Sequence, residues 1–340
     1  MSARPEADEA APTCVEGEVT TRRVQPLPPG DEPTRVVRPV AANGTPGETG
    51  AADPAVGRER TVSNTVAQLA EQVPRQASTP WNPQRVDYSR LGQLIPVVPL
   101  SSGAGASVVS AVLADALQTQ GWTTVLADTA EPARSGLAAA TTGEPMPAPG
   151  PPPHPQLQLE VRWRFLIRVT RLAPVAGVPV LPSVLPGPHG YVPDAVPRPQ
   201  VVVADVSHDA WRAAGQVLAG PGQWVRGGWP PPLPVMVVRP TRPSAMQAEQ
   251  VLARLASWAT PGAAAPPAAL VVIGARRWPR GVLEAAGPNL GALAATTTFL
   301  PSSREIARYG VTAELTPTRL RAAVCPLLAR LLSGAAVAHQ

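Results

Sequence analysis

The sequence predicts an α/β fold, a doubly wound and mostly parallel sheet with helices on both faces, preceded by a disordered N-terminal tail. Short apolar runs recur after about residue 91, which is typical of strands buried on both faces. Segments with apolar residues at helical spacing follow several of these runs. Such alternation favours a doubly wound sheet. The expected strands are 94–100, 122–128, 200–205, 233–239 and 268–274, and the expected helices are 109–117, 245–258, 281–286 and 318–332.

The first strand leads into a turn of small residues and then a helix. The run 94–100 is apolar, 101–107 reads SSGAGAS, and apolar side chains at helical spacing follow. Gly121 is placed to end that helix. The next two apolar runs end in Asp128 and Asp205. Later in the chain, Pro288 is expected to stop the short helix 281–286.

Three segments interrupt this alternation. Residues 144–155 are mostly proline with small residues, and we expect a loop insertion there, with a second Pro-rich insertion near 173–200. Apolar and polar residues alternate with period 2 over 161–172, which predicts one edge strand with one face mostly exposed to solvent, the predicted wet face. Arg162, Arg164 and Arg168 lie on the predicted wet face. They indicate either a solvated edge that resists aggregation or a nucleic-acid surface.

The first 90 residues differ in composition from the rest. They are rich in Pro, Ala, Glu, Thr and Arg and show little apolar periodicity, so we expect a disordered tail over 1–90 and a domain over 91–335. Residues 61–73 favour one short helix. Trp81, beside Pro83, is interpreted either as a local anchor on the domain or as a partner-binding motif.

Composition excludes several classes of protein. The net charge of +5 permits nucleic acid or anionic lipid as a partner without requiring either. Two cysteines make no disulfide framework, and the four histidines show no metal-ligand spacing. No secretory signal and no apolar run of about 20 residues is present, so we expect a cytoplasmic protein for which a membrane partner is disfavoured.

The turn 101–107 has the outline of a phosphate-binding loop without its charge. In the pattern G-x-x-x-x-G-K-[ST], the lysine before the last Ser or Thr reaches the β- and γ-phosphates. Here that position holds Ala106, and the chain contains no lysine, since all 29 of its Lys and Arg residues are arginine. The strand, the glycine-containing turn and the helix of such a loop are kept, and the positive charge of its lysine is lost.

The order of these parts resembles the ParA/MinD family of P-loop ATPases over about residues 91–332. The family's K-G-G-x-G-K-[ST] motif aligns with Ser101–Ser107, so that both lysines are replaced, by Ser101 and Ala106. Its acidic D-x-D-P-like turn is similar to residues 125–132, and its Walker B strand resembles 201–205. The segments 237–244 and 299–307 resemble the family's later strand-helix and Pro-containing segments.

The resemblance implies roles for individual residues. Main-chain N–H groups could form an anion nest over Ser102, Gly103, Ala104, Gly105, Ala106 and Ser107. Ser107 and Asp205 would hold Mg²⁺ if ATP binds, and Asp128 matches the acidic position near the attacking water. No catalytic residue is assigned beyond this equivalence. Arg134, Arg239 and Arg242 are the candidates to replace the missing charge.

A simpler interpretation of the same residues stays open. Ser101–Ser107 is then a strand-to-helix turn that binds no nucleotide, and Asp128 and Asp205 are ordinary acids at strand ends. Elsewhere, Arg276, Arg277 and Arg280 beside Trp278 indicate either a DNA contact or a solvated loop. The apolar stripe of the last predicted helix, interrupted by Pro326, favours a core helix over a membrane-binding one.

Three functional hypotheses follow. The first is a catalytically degenerate ParA/MinD-like factor that binds an unidentified protein partner without turnover, as a monomer or homodimer, and needs no cofactor. The resemblance places such a factor in partitioning, a conjugative element, secretion or pilus assembly. The second is a genuine ATPase that uses ATP and Mg²⁺ with an arginine in place of the lysine. The third is a DNA-associated plasmid accessory protein.

Overall fold

The computed structural model describes residues 86–149, 157–173, 181–192 and 197–337. Most of the predicted tail, including the helix expected over 61–73 and the anchor Trp81, lies outside the described residues. The fold begins before the predicted boundary at residue 91. Val86–Asp87 is a strand (β1) that pairs in parallel with Gly228–Trp229 (β8). Tyr88 is buried, and its ring stacks on that of His189.

The described residues form a mixed α/β fold around one nine-stranded sheet. Its strands lie in the order β11-β10-β9-β2-β7-β3-β6-β5-β4. All neighbours from β11 to β6 are parallel, and the last two pairings are antiparallel. The strands are β2 Gln93–Pro99, β3 Thr124–Asp128, β4 Thr142–Pro147, β5 Gln158–Arg164, β6 Ile167–Ala173, β7 Val201–Asp205, β9 Val235–Val238, β10 Ala269–Ile273 and β11 Thr297–Leu300.

Helices cover both faces of this sheet, as predicted. Alternate residues of β2 enter two separate cores, Leu94 and Val98 on one face, Ile95 and Val97 on the other. The helices are α1 Ala106–Thr119, α2 Pro188–Tyr191, α3 Ala210–Gly215, α4 Arg242–Ala259, α5 Pro288–Ala294, α6 Arg304–Tyr309 and α7 Thr318–Val337. Helices α3, α4 and α5 pack on the first face, and α1 and α7 on the second.

The predicted single strand 161–172 is wrong, because these residues belong to a β-hairpin. Strands β5 and β6 pair antiparallel, and Phe165 and Leu166 form the turn between them. Because the chain reverses at this turn, the side chains near it do not face the sides that one continuous strand would give them. Arg164, expected in solvent, is fully buried, while its neighbours Trp163 and Phe165 are exposed.

The buried Arg164 connects three elements. Its guanidinium makes two hydrogen bonds to the carboxylate of Asp115 in α1, at 2.9 and 2.8 Å, and both side chains have no exposure. It also donates to the carbonyl oxygens of Ala140, Thr312 and Glu314. Asp115 in turn accepts from the N–H of Thr316 at 2.7 Å. The ion pair therefore ties α1 and the hairpin to the segment before α7.

The Pro-rich loop expected over 144–155 is also wrong for its first part. Thr142–Pro147 is the edge strand β4, although all six side chains are exposed, because its main chain pairs with β5. Prolines are compatible with an edge strand, where the missing N–H points away from the sheet. Residue 149 ends the described part of this segment. Within the expected insertion 173–200, Leu185 and Tyr191 pack into the core.

Two helix expectations near prolines need correction. The expected helix 281–286 is only a short 3₁₀ turn, Leu283–Ala285, and Pro288 begins α5 instead of stopping a helix. Proline fits the first helical turn, where its missing N–H has no helical partner. Helix α7 continues through Pro326. Its apolar stripe packs in the core on both sides of that residue, at Leu320 and Leu331, as expected for a core helix.

Candidate functional site

The turn between β2 and α1 depends on two glycines. Gly103 and Gly105 have positive φ, +64° and +96°, and Gly105 is the N-cap of α1. A Cβ on Gly105 would lie 2.6 Å from Cδ1 of Ile273. The N–H of Ala104 donates to the carbonyl oxygen of Ser101 at 3.1 Å, which closes the turn. Glycine is therefore required at residue 105 both by backbone conformation and by space.

Polar side chains from the segment after β9 and from helix α4 fix this turn. The hydroxyl groups of Ser101 and Ser244 lie 2.6 Å apart. Arg239, which follows β9, donates from Nε to the carbonyl oxygen of Gly103 at 2.7 Å. Ala106, at the position of the loop lysine in the phosphate-binding pattern, is buried. The nearest arginine shown to contact the turn thus holds its main chain.

Two carboxyl groups lie at the carboxyl ends of neighbouring strands beside this turn. Asp128 ends β3 and Asp205 ends β7, and the two residues are register partners. Asp205 is also the register partner of Val97 in β2. Both aspartates are fully buried. Neighbouring parallel strands bring these acids together at the carboxyl edge of the sheet, near the topological switch point where the strand order reverses. That point is the usual ligand site of doubly wound sheets.

Hydroxyl groups donate to two of the four carboxylate oxygens. Ser207 donates to Oδ1 of Asp205 at 2.5 Å, and the hydroxyl of Ser107 lies 3.2 Å from that of Ser207. Ser135 donates to Oδ2 of Asp128 at 2.5 Å. Oδ2 of Asp205 is buried and has no hydrogen-bond partner among the described residues. Neither aspartate forms an ion pair with any described residue.

Burial makes both acids weak. Burial first, and the neighbouring Asp128 second, raise the pKa of Asp205 to about 7, against the opposing effect of the nearby Ser107 and Ser207 hydroxyl groups. Burial also raises the pKa of Asp128, against its hydrogen bonds from Ser135 and Ala130. A buried carboxyl group near another acid keeps its proton because the charged form is poorly solvated. The site therefore holds at least one proton below neutral pH.

Three further residues border the acids. Nε2 of His208 lies 2.7 Å from the carbonyl oxygen of Thr129, and burial lowers the pKa of this histidine. Tyr191 has a buried hydroxyl without a hydrogen-bond partner, and burial and the charge of Asp128 raise its pKa. A Cβ on Gly136 would lie 2.4 Å from Oγ of Ser107, so this glycine packs directly against the serine.

The chemistry of the site follows from these atoms. Serine hydroxyls and carboxylate oxygens are the ligands that hard divalent cations prefer, and Oδ2 of Asp205 is free to accept one. No group of three or more His, Cys, Asp or Glu side chains with metal-site geometry occurs among the described residues. The acids have no lysine partner, since the chain has none. The arrangement is oxygen-rich and poor in positive charge.

The structure brings together some of the residues singled out from the sequence and separates others. Ser107, Asp128 and Asp205 lie at one site. The candidate replacements for the lysine are dispersed: Arg239 binds the turn, and Arg242 donates from Nε to the carbonyl oxygen of Gly281 at 2.9 Å. Arg134 is exposed near His208.

The basic cluster lies in the loop after β10. Arg276, Arg277 and Arg280 are exposed, whereas Trp278 is half-buried with its ring against Phe299. The tryptophan therefore packs inward rather than forming an exposed stacking surface.

Sequence reasoning missed Ser135, Ser207, Gly136 and Tyr191. Ser207 is two residues beyond Asp205, a spacing that could have indicated it. Ser135 and Gly136 lie next to each other in the loop after β3, and Tyr191 ends the short helix α2; none of the three carries a local signal. The buried pair of Asp115 and Arg164 was hidden by the assumption of a continuous strand.

Comparison with known proteins does not assign a family. No protein-family model matches the sequence, and no curated protein matches it. Among solved structures, the MinC:MinD cell division protein complex of Aquifex aeolicus is similar at 12% identity and a TM-score of 0.37, covering 66% of this chain and 87% of that chain. This likeness is too low to support an argument about function. Among the described helices, none has the length and apolar character to span a bilayer.

Proposed function

We propose that this chain is a ParA/MinD-like protein that binds a protein partner and does not hydrolyse nucleotide. The observation that carries the proposal is the charge of the site. Two fully buried aspartates lie beside the turn, and the position of the loop lysine holds the buried Ala106. Its setting would be a partitioning, conjugation, secretion or pilus system, as the sequence resemblance implies.

Electrostatics supports binding without turnover. Phosphoryl transfer depends on positive charge placed around the developing negative charge of the phosphoryl group. Here the buried ionisable groups beside the turn are acids, and burial, followed by the neighbouring Asp128, raises the pKa of Asp205. A triphosphate would add several negative charges beside them. Its binding would require compensation that the described side chains do not supply at the turn.

Arg239 does not readily replace the lysine. Its Nε–H already donates to Gly103, and this contact stabilises the turn itself. Moving the guanidinium toward a phosphate would leave the carbonyl oxygen of Gly103 without that donor. The ATPase alternative therefore needs another arginine, from elsewhere in this chain or from a second chain.

Mg²⁺ and ATP fit the site only in part. If they bind, Ser107 and Asp205 would hold the metal, which would neutralise phosphate charge. The free Oδ2 of Asp205 and the hydroxyl pair of Ser107 and Ser207 suit such an ion. The main-chain N–H groups over Ser102–Ser107 would contact the phosphates. The absence of a lysine at the turn argues against binding of either Mg²⁺ or ATP at cellular concentrations.

Steady-state ATP hydrolysis by the full chain tests the proposal. We expect release of phosphate at the rate of the buffer blank, with Mg²⁺ present, and no difference between the native chain and Asp205→Ala. Turnover that Asp205→Ala removes, in a variant that keeps its circular dichroism spectrum, would support the ATPase alternative instead.

The exposed arginines carry the second candidate function. Arg276, Arg277 and Arg280 project from one loop, and contacts of this kind with phosphates weaken steeply with salt. Fluorescence anisotropy with a labelled duplex at low and high salt tests it. Salt-dependent binding that is lost when the three arginines become alanine would establish a DNA-associated role. Binding unchanged in that variant would assign any affinity to another surface.

A further inference from the structure

The end of the sheet opposite to β11 carries an exposed apolar surface, which we name the hairpin surface. It consists of Met146 on the edge strand β4 and Trp163, Phe165 and Leu166 on the β5–β6 hairpin. Their exposed fractions are 48%, 44%, 47% and 65%. Large apolar side chains grouped in this way mark an interaction site more often than scattered ones do.

Register keeps this group together. Trp163 is the partner of Thr142 in β4 and of Arg168 in β6, and Met146 is the partner of Val161. Residues two apart on a strand share a face, so Met146 and Trp163 lie on one face of the sheet. Phe165 and Leu166 extend the surface at the hairpin turn.

Charged groups of both signs border the hairpin surface. Arg168, opposite Trp163, has buried Nε and Nη2 atoms to which no described residue offers a hydrogen-bond acceptor. Glu144 lies in β4 between the partners of Trp163 and Val161, is exposed, and forms no ion pair with a described residue. Arg168 is only half-buried, but two of its guanidinium nitrogens are buried without an acceptor, which is costly, so a carboxylate that reaches this side chain would be stabilised there.

The edge strand does not favour extension of the sheet. The N–H of Ala148 points toward β5 and donates to the carbonyl oxygen of Leu159 at 2.8 Å. Because backbone directions alternate along a strand, the N–H of Met146 also points toward β5, and the backbone nitrogens of its two neighbours point away from the sheet. Those neighbours are Pro145 and Pro147, which have no N–H to donate. A partner therefore docks through side chains rather than by adding a strand to β4.

We propose that the hairpin surface is a two-fold interface between two copies of this chain. A symmetric interface places the same surface on both partners, so Arg168 of each copy can meet Glu144 of the other. The surface thus carries its own complementary charges. Its four apolar side chains expose about 400 Å² per chain, so two copies would bury about 800 Å² of apolar surface. With the polar surroundings this reaches the lower range of specific interfaces, and it predicts a reversible dimer.

Sedimentation velocity of the full chain from about 1 to about 200 μM tests the interface. We expect the average mass to rise with concentration from 35.3 kDa toward twice that value. Leu166→Asp and Glu144→Arg, both at exposed positions, should each weaken the dimer at least tenfold. Met246→Asp is the matched control, because Met246 is an exposed apolar residue on α4, away from the hairpin surface.

Exchanging the charges at residues 144 and 168 distinguishes a specific interface from nonspecific association. Arg168→Glu alone should weaken the dimer as Glu144→Arg does, while an equimolar mixture of the two variants should form a heterodimer, since both contacts are then Arg with Glu. Circular dichroism checks that Arg168→Glu is folded, and the two exposed variants decide the test if it is not. A native chain that is monomeric over the whole range, or a dimer unaffected by Leu166→Asp and Glu144→Arg, overturns the proposal.

Discussion

Asp128 and Asp205 are register partners at the ends of two neighbouring parallel strands, and both side chains are fully buried. Two acids in this position would repel each other if both were ionised. The raised pKa of Asp205, about 7, is the response of the site to burial and to that neighbour. The charge state of the turn beside them therefore changes near neutral pH.

Asp205→Asn is expected to stabilise the protein at pH 8 and to have little effect near pH 4. An unfolded aspartate has a pKa of about 3.9, so the native state holds more protons between about pH 4 and pH 7, and its stability falls as pH rises through that range. Asparagine removes this loss, which is on the order of 2–4 kcal/mol above pH 7. Urea unfolding at both pH values measures it, with the exposed Glu284→Gln as control. An effect of Asp205→Asn that is equal at pH 4 and pH 8 would contradict the assignment.

Arg164→Met is expected to destabilise the protein by about 3–5 kcal/mol, because it leaves the buried carboxylate of Asp115 without its cation. Asp115→Leu combined with Arg164→Met should cost less than Arg164→Met alone, since no buried charge is then left unpaired. Urea unfolding at neutral pH measures both. As a control, Arg162→Gln removes a partly exposed ion pair and should cost about 1 kcal/mol or less. A double variant that is less stable than Arg164→Met would show that the pair is not the main loss.

Gly136→Ala is expected to destabilise the protein by about 1–3 kcal/mol, because its Cβ would meet Oγ of Ser107 at 2.4 Å and displace the serine from Ser207. Gly291→Ala is the matched control. Gly291 lies in α5 with nothing within 4 Å of an added Cβ, so alanine there should be neutral or stabilising by about 0.5–1 kcal/mol. Thermal unfolding of both variants measures the difference, and equal effects would refute the close packing at Ser107.

Ala106→Lys is expected to raise the affinity for Mg·ATP at least tenfold over the native chain, because it returns a cation to the turn beside the two acids. Ala106→Leu is the control for added length without charge. Calorimetric titration measures both variants. A folded lysine variant with no gain in affinity would show that something other than the missing charge limits nucleotide binding.

The main sheet could be predicted because its strands are short apolar runs, and both acids stand at their ends. The hairpin was not predicted, because both of its turn residues are apolar: Phe165 continues the alternation of the flanking strands, and Leu166 is only a single exception to it. Phe165 adopts a φ of +51°, which its residue type does not indicate. Within the site, Ser107 and Asp205 followed from a motif, whereas Ser135 and Gly136 approach from a loop whose path only the fold determines.

Calorimetric titration of the full chain with Mg·ATP and Mg·ADP tests the central claim most directly, with Ser107→Tyr as the variant that blocks the turn. The account predicts no saturable heat at nucleotide concentrations up to about 1 mM. Saturable binding in the micromolar range that Ser107→Tyr abolishes would contradict it, and would make the turn a working nucleotide site.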